Sequence, residues 1–106
     1  MADVILNVED FLTRFKVGDV FWRMKRSLGH MSSVIEGPCR IIVISTTYGG
    51  REVRTPIVTF THKANYYVAG GEEIETMFVA DIVASEYGAF ESEMDAYVYM
   101  HQEGER

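Results

Sequence analysis

The sequence has little cysteine and little proline, and it lacks any long apolar run. Its single cysteine, Cys39, excludes an intramolecular disulfide framework and a zinc site built from several cysteines. No apolar stretch approaches the roughly 20 residues of a membrane-spanning helix. The acidic Asp3 precedes the first apolar segment, which is the wrong order for a signal peptide. We therefore expect a soluble, cytoplasmic protein that has no membrane partner.

The chain has the composition of a globular domain. It has 106 residues, of which 47% are hydrophobic and 25% are charged. A chain of this length buries roughly two-thirds of its unfolded surface, which suffices for one core without covalent staples. The sequence therefore predicts a single domain spanning residues 1–106.

The charge is divided unevenly along the chain, whose net charge is −6. Residues 71–106 hold ten of the 16 acidic residues but one of the ten Lys and Arg residues. Such a segment can present a negative field to a basic partner. It can equally be a solvated helix with a frayed tail. The sequence leaves both alternatives open.

The hydrophobic pattern predicts a mainly β (α+β) fold with a short helix at each end. Asn7 is a suitable N-cap for a helix over 7–15, and Ser92 is one for a helix over 92–102. The region 19–83 predicts a small five-stranded antiparallel barrel or bent sheet, because short strands alternate there with glycine-rich turns. The strands are expected at 20–25, 40–46, 57–61, 65–69 and 74–79, with 81–83 continuing the last and a short strand around 30–35 left open.

The first predicted strand alternates between apolar and basic side chains. One face, formed by the odd-numbered residues, carries Phe21, Arg23 and Lys25, and Arg26 follows the strand. We expect this face to be turned to water and the face carrying Trp22 to be buried. Interleaved rings and cations suit single-stranded RNA or DNA. The alternative is that Phe21 is covered by a helix and the cations are merely solvated, and the net negative charge also opposes nucleic-acid binding.

The order of these elements is similar to that of a known class of module. The segment Lys16-Val17-Gly18-Asp19, leading into a strand with an aromatic pair, resembles the opening of small SH3-like barrels, including KOW and Tudor-type modules. The barrel followed by a helix that opens near Ser92 also resembles small proteins of phage and prophage origin. The resemblance covers roughly residues 15–100 and implies an SH3-like fold. A phage origin would imply a regulator or inhibitor of a nucleic-acid-handling host machine.

Sequence patterns of catalysis and cofactor binding are missing. The chain has no phosphate-binding loop, no dinucleotide fingerprint and no nucleophile elbow. Cys39 enters an apolar strand, which favours a buried hydrophobic role. The three histidines, at positions 30, 62 and 101, have no metal-ligand spacing, so no metal site is expected. A general acid–base pair of His62 with Asp81 or Glu86 stays open.

These observations predict a non-catalytic protein-interaction module, or a small regulator, without a cofactor or a metal. Its acidic C-terminal region would engage a basic partner surface, with tyrosine as an anchor among carboxylates. The expected partner-binding residues are Glu72, Glu73, Glu75, Tyr87, Glu91, Glu93 and Asp95. A nucleic-acid-binding barrel that uses Phe21, Arg23, Lys25 and Arg26 is the alternative, and a small enzyme is a more distant one.

Overall fold

A computed structural model of the chain describes residues 4–26, 33–63, 71–83 and 88–104. Within these ranges, five strands form one antiparallel sheet, and three short helices accompany it. The strands are β1 (Val20–Arg26), β2 (Ser33–Tyr48), β3 (Arg51–Lys63), β4 (Glu72–Phe78) and β5 (Ala89–Phe90). The helices are α1 (Val8–Arg14), α2 (Val79–Ile82) and α3 (Glu93–Gly104). Among the described residues, every helix is too short or too polar to cross a bilayer.

The strand order across the sheet is β4-β3-β2-β1-β5, which leaves β4 and β5 as its two edges. Each pair of neighbouring strands is antiparallel. The mainly β class and a helix near each end of the described chain are confirmed. The described strands form an open sheet and are not closed into a barrel.

Local sequence signals explain where these elements begin and turn. The Asn7 side chain accepts a 2.7 Å hydrogen bond from the amide of Asp10, which caps α1. The Ser92 hydroxyl accepts a 3.1 Å hydrogen bond from the amide of Asp95 in the same way at the start of α3. The β2–β3 hairpin turns at Gly49 and Gly50, whose φ angles of 62° and 81° favour glycine. Both predicted caps and this turn are confirmed.

The predicted strands are shorter than those observed. The segment 40–46 lies inside the 16-residue strand β2, and 57–61 lies inside the 13-residue strand β3. The predicted strand 74–79 corresponds to β4, while the one at 65–69 lies outside the described residues. Strand length was underestimated for two reasons. Residues 33–40 of β2 pair with β1, and at the hairpin end β2 and β3 continue past the apolar runs into polar residues that pair with each other.

The predicted continuation of a strand over 81–83 is wrong. The chain forms the single-turn helix α2 there, and the amide of Val83 donates to the carbonyl of Val79 at 3.1 Å. Val79 and Ile82 are both buried, and their spacing of three residues places them on one side of a helical turn. An apolar run this short is compatible with both the two-residue period of a strand and the 3.6-residue period of a helix. Burial of Val79 and Ile82 together under the sheet selects the helix.

The sheet is packed on both faces. On one face, α1 and α2 cover a core that includes Phe11, Phe21 and Phe60, each fully buried. On the other face, α3 covers a second core that includes Met24 and Phe90. Strand β1 therefore contributes side chains to both cores. The expectation that one of its faces would be turned to water is wrong, because the helices lie on opposite sides of it.

One close approach inside the second core depends on glycine. A Cβ atom added to Gly37 would lie 2.4 Å from Cδ1 of the Trp22 ring. The change Gly37→Ala is therefore expected to lower the free energy of unfolding by about 1–3 kcal/mol, because it overpacks the indole. Urea denaturation measures this loss. Replacing the ring by Trp22→Leu should reduce the cost of the Gly37 change, and an unchanged cost in that background would contradict the contact.

Candidate functional site

Four ionisable side chains from four adjacent strands meet on the face of the sheet that α1 covers. Arg23 comes from β1, Glu36 from β2, His62 from β3 and Glu75 from β4, and we call this group the Arg23 cluster. The strand register brings them together. Arg23 stands opposite Glu36, and Glu75 stands opposite Phe60, two residues before His62 on the same face.

Arg23 is the centre of the cluster. Its side chain is 8% exposed, and it donates from Nε to Oε1 of Glu36 at 2.6 Å and from Nη2 to Oε2 of Glu75 at 2.9 Å. Its guanidinium carbon lies 5.3 Å from the centre of the Phe60 ring. Charge-assisted hydrogen bonds and a cation–π contact of this kind strengthen when water is excluded. Arg23 thus ties β1 to β2 and β4.

His62 lies among three carboxylates. Its side chain is 7% exposed, and its Nε2 atom is 2.8 Å from Oε2 of Glu75 and 3.8 Å from Oε2 of Glu73. Its Nδ1 atom is 3.9 Å from Oε2 of Glu36. One ligand atom from each of Glu36, His62 and Glu75 lies within 4.8 Å of the others, so these three side chains could hold a metal ion.

Cys39 borders the cluster but is not a reactive group. The residue is fully buried, and its Sγ atom lies 3.7 Å from the carbonyl oxygen of Glu36. Burial, followed by the nearby Glu36 carboxylate, raises the pKa of the Cys39 thiol to about 12. The thiol therefore stays protonated at neutral pH, and the predicted role as a small buried hydrophobe is confirmed.

The predicted partner-binding acids on β4 divide between its two faces. Glu72 lies on one face, and Glu73 lies on the same face as Glu75; both Glu72 and Glu73 are exposed. Glu75 instead takes part in the Arg23 cluster, where its side chain is 37% exposed. Its carboxylate bonds to Arg23, whose positive charge Glu36 shares, so Glu75 contributes less to the surface field than the sequence suggested.

The remaining acids lie at the other edge of the sheet. Glu91 directly follows β5, Glu93 opens α3, and both are exposed, whereas Asp95 is half-buried. Glu91 also lies 3.6 Å from Nη1 of Arg14. Strands β4 and β5 are four strand spacings apart, which is roughly 19 Å measured along the sheet. Tyr87 lies outside the described residues. The acidic C-terminal region therefore forms two surfaces.

The alternative nucleic-acid site is largely internal. Phe21 is fully buried and Arg23 is 7% exposed, so the prediction that they face water is wrong. The backbones of Lys25 and Arg26 belong to β1, and their side chains lie outside what the structure describes. The described part of this set offers no exposed ring on which a base could stack.

The sequence left open an acid–base pair of His62 with Asp81 or Glu86, but the described carboxylates near His62 belong to other residues. Asp81 is an exposed residue of α2, and Glu86 lies outside the described residues. The described carboxylates at His62 belong to Glu36, Glu73 and Glu75. The sequence analysis did not identify Glu36. The only signal for it is its position in β2 opposite the basic Arg23 of β1, and that requires the strand register.

Comparison of the chain with protein-family models, with curated proteins and with solved structures found no match.

The Arg23 cluster predicts a large stability loss for Arg23→Ala. Removing the guanidinium leaves the carboxylates of Glu36 and Glu75 partly buried beside each other, so the free energy of unfolding should fall by about 3 kcal/mol. Arg54→Ala, at an exposed position of β3, is the control and should change it by less than about 0.5 kcal/mol. Urea denaturation of both variants makes the comparison, and equal losses would contradict the role of the cluster.

Burial of Cys39 predicts slow thiol chemistry in the folded protein. Raising the pKa from 9.0 to about 12 lowers the thiolate population at pH 8 by about a thousandfold. Reaction with a chromogenic disulfide at pH 8 should therefore be slow in buffer and fast in urea. The free energy of unfolding should also fall as the pH rises above 9.0, because the unfolded thiol ionises there and the folded one does not. Rapid labelling of the folded protein would contradict the burial.

Proposed function

We propose that this chain is a non-catalytic protein-interaction module that binds an extended basic segment of a partner protein along the outer edge of β4. The observation that carries the proposal is an acidic edge strand. Strand β4 lies at one end of the sheet order, and it exposes Glu72, Glu73 and Ile74. Ile74 is 68% exposed, which is high for a large apolar side chain in a strand.

The backbone of an edge strand supports binding of another strand. Among the described strands, β4 pairs with β3 alone. Its outward amide and carbonyl groups can therefore hydrogen-bond to an added strand, which is how many domains recognise extended peptides. The side chains of β4 alternate between the two faces of the sheet, so those on one face would contact every second residue of the partner segment.

The charge of β4 favours a basic partner over a second copy of the chain. Antiparallel pairing of two β4 strands would bring acidic side chains of both copies together, which is destabilising. A segment with Lys or Arg opposite Glu72 and Glu73 removes that repulsion and gains attraction. Ile74 and Phe78, which is 41% exposed, add apolar contacts on the face of β4 that also carries Glu72, because these residues are an even number of positions apart.

A cleft at the end of β4 suits a long basic side chain. It has a volume of about 410 Å³, and its lining includes Tyr48, Phe78 and the exposed Asp81. The methylene groups of Lys or Arg can pack on the rings while the charged end reaches the carboxylate. A small regulator or inhibitor that covers the basic surface of a nucleic-acid-handling protein is the concrete form of this proposal.

Selection from a displayed random-peptide library tests the proposal. We expect the enriched peptides to carry Lys or Arg at alternate positions, since successive strand residues face opposite sides. The double charge reversal Glu72→Lys with Glu73→Lys should weaken binding of a selected peptide by about tenfold or more. Glu91→Lys with Glu93→Lys, at the opposite edge, is the matched control and should leave the affinity unchanged. Thermal unfolding verifies that each variant is folded.

Hydrogen exchange locates the bound segment independently of charge. A selected peptide should slow the exchange of amides in β4 and leave those in α3 unaffected. Enrichment of neutral or acidic peptides would overturn the proposal. Loss of binding on reversal of Glu91 and Glu93 alone would assign the partner surface to α3 instead.

A further inference from the structure

We propose that Glu36, His62 and Glu75 bind a divalent transition-metal ion, and that Zn²⁺ is the best chemical match. The three ligands are not among the residues proposed to bind the partner, although Glu73, which is one of those residues, lies 3.8 Å from His62. The metal site does not depend on the proposed partner. Sequence spacing did not reveal it, because each ligand comes from a different strand.

The distances between the donor atoms suit an ion. Zinc bonds of about 2.0–2.1 Å in tetrahedral geometry place the ligand atoms roughly 3.3 Å apart. Nε2 of His62 lies 2.8 Å from Oε2 of Glu75, while Nδ1, which points away from Glu75, lies 3.9 Å from Oε2 of Glu36. One ligand atom from each side chain lies within 4.8 Å of the others, so side-chain rotation that brings the second carboxylate to the same ring nitrogen would place all three around one ion.

Arg23 leaves one oxygen of Glu36 for an ion, whereas Oε2 of Glu75 faces both Arg23 and His62, so an ion would share that oxygen with the guanidinium or bind Oε1. Arg23 bonds to Oε1 of Glu36, whose Oε2 faces His62 at 3.9 Å. A carboxylate that binds a guanidinium through one oxygen and an ion through the other is a common way of fixing a metal ligand. Arg23 is thus a positioning residue for the ion and is not itself a ligand.

The charge of the cluster favours a cation. Glu36 and Glu75 carry two negative charges against the single positive charge of Arg23, and Glu73 adds a third carboxylate 3.8 Å from Nε2 of His62. The three carboxylates outnumber the single guanidinium, and a divalent ion offsets that excess of negative charge. Since excess charge is costly to bury, the ion would also stabilise the fold.

The exposure of the ligands provides a route for the ion. The exposed fraction of the side chain rises from 7% for His62 through 18% for Glu36 and 37% for Glu75 to 53% for Glu73. Solvent therefore reaches the cluster from the side of Glu73 and Glu75, while His62 lies at its buried end. One imidazole with carboxylates matches zinc better than magnesium or calcium, which prefer oxygen ligands alone.

Isothermal titration of the full chain with zinc chloride tests the site. The protein carries no histidine tag and is first freed of metal with a chelator. We expect one ion per chain, and His62→Gln should weaken the affinity by at least about 100-fold, because it removes the nitrogen ligand. His101→Gln, at an exposed position of α3, is the matched control and should bind like the unchanged protein.

Two further measurements keep the proposal testable if the His62 variant unfolds. Zinc should raise the melting temperature of the unchanged protein, and Glu36→Gln should abolish most of that rise. Cobalt should produce visible absorption bands typical of tetrahedral coordination, and zinc should remove them. Absence of stoichiometric zinc binding to the unchanged protein would overturn the proposal, as would equal affinity of the His62 and His101 variants.

Discussion

The ion pairs of Arg23 are the interaction on which the rest of the structure depends. A buried guanidinium is costly unless it is matched, and here Glu36 and Glu75 match it at 2.6 and 2.9 Å. Because the two carboxylates come from β2 and β4, Arg23 links its own strand both to the next strand in the chain and to β4, which is neither its sequence neighbour nor its neighbour in the sheet. The same bonds draw Glu75 inward and leave Glu72 and Glu73 as the acidic surface of that edge.

The order of the strands in the sheet, rather than the distribution of charge along the sequence, determines where the acidic residues lie on the surface. The acidic residues that follow position 71 are near one another in sequence, but β4 and β5 lie at opposite edges of the sheet. One acidic group therefore accompanies β4, whose outer edge pairs with none of the other described strands, while the other accompanies the start of α3. An edge with unpaired backbone groups can bind an extended segment, and this combination of charge and backbone is why the proposed function rests on β4.

The parts of the fold that depend on local chemistry could be predicted from sequence. The caps at Asn7 and Ser92 and the turn at Gly49 are decided within a few residues. The Arg23 cluster could not be predicted, because a register shift between Phe21 and Arg23 determines which residue of β2 stands opposite. A slip of one residue moves a side chain to the other face of a sheet, so alternation alone did not show that β1 is buried on both faces.

Nuclear magnetic resonance of the Arg23 side chain tests the central claim most directly. A guanidinium that is buried and bonded to two carboxylates should give a resolved, slowly exchanging Nε–H signal, with nuclear Overhauser contacts to the methylene protons of Glu36 and Glu75. The exposed Arg51 and Arg54 supply the reference for rapid exchange. An Arg23 signal that exchanges as rapidly as theirs, without those contacts, would contradict the account.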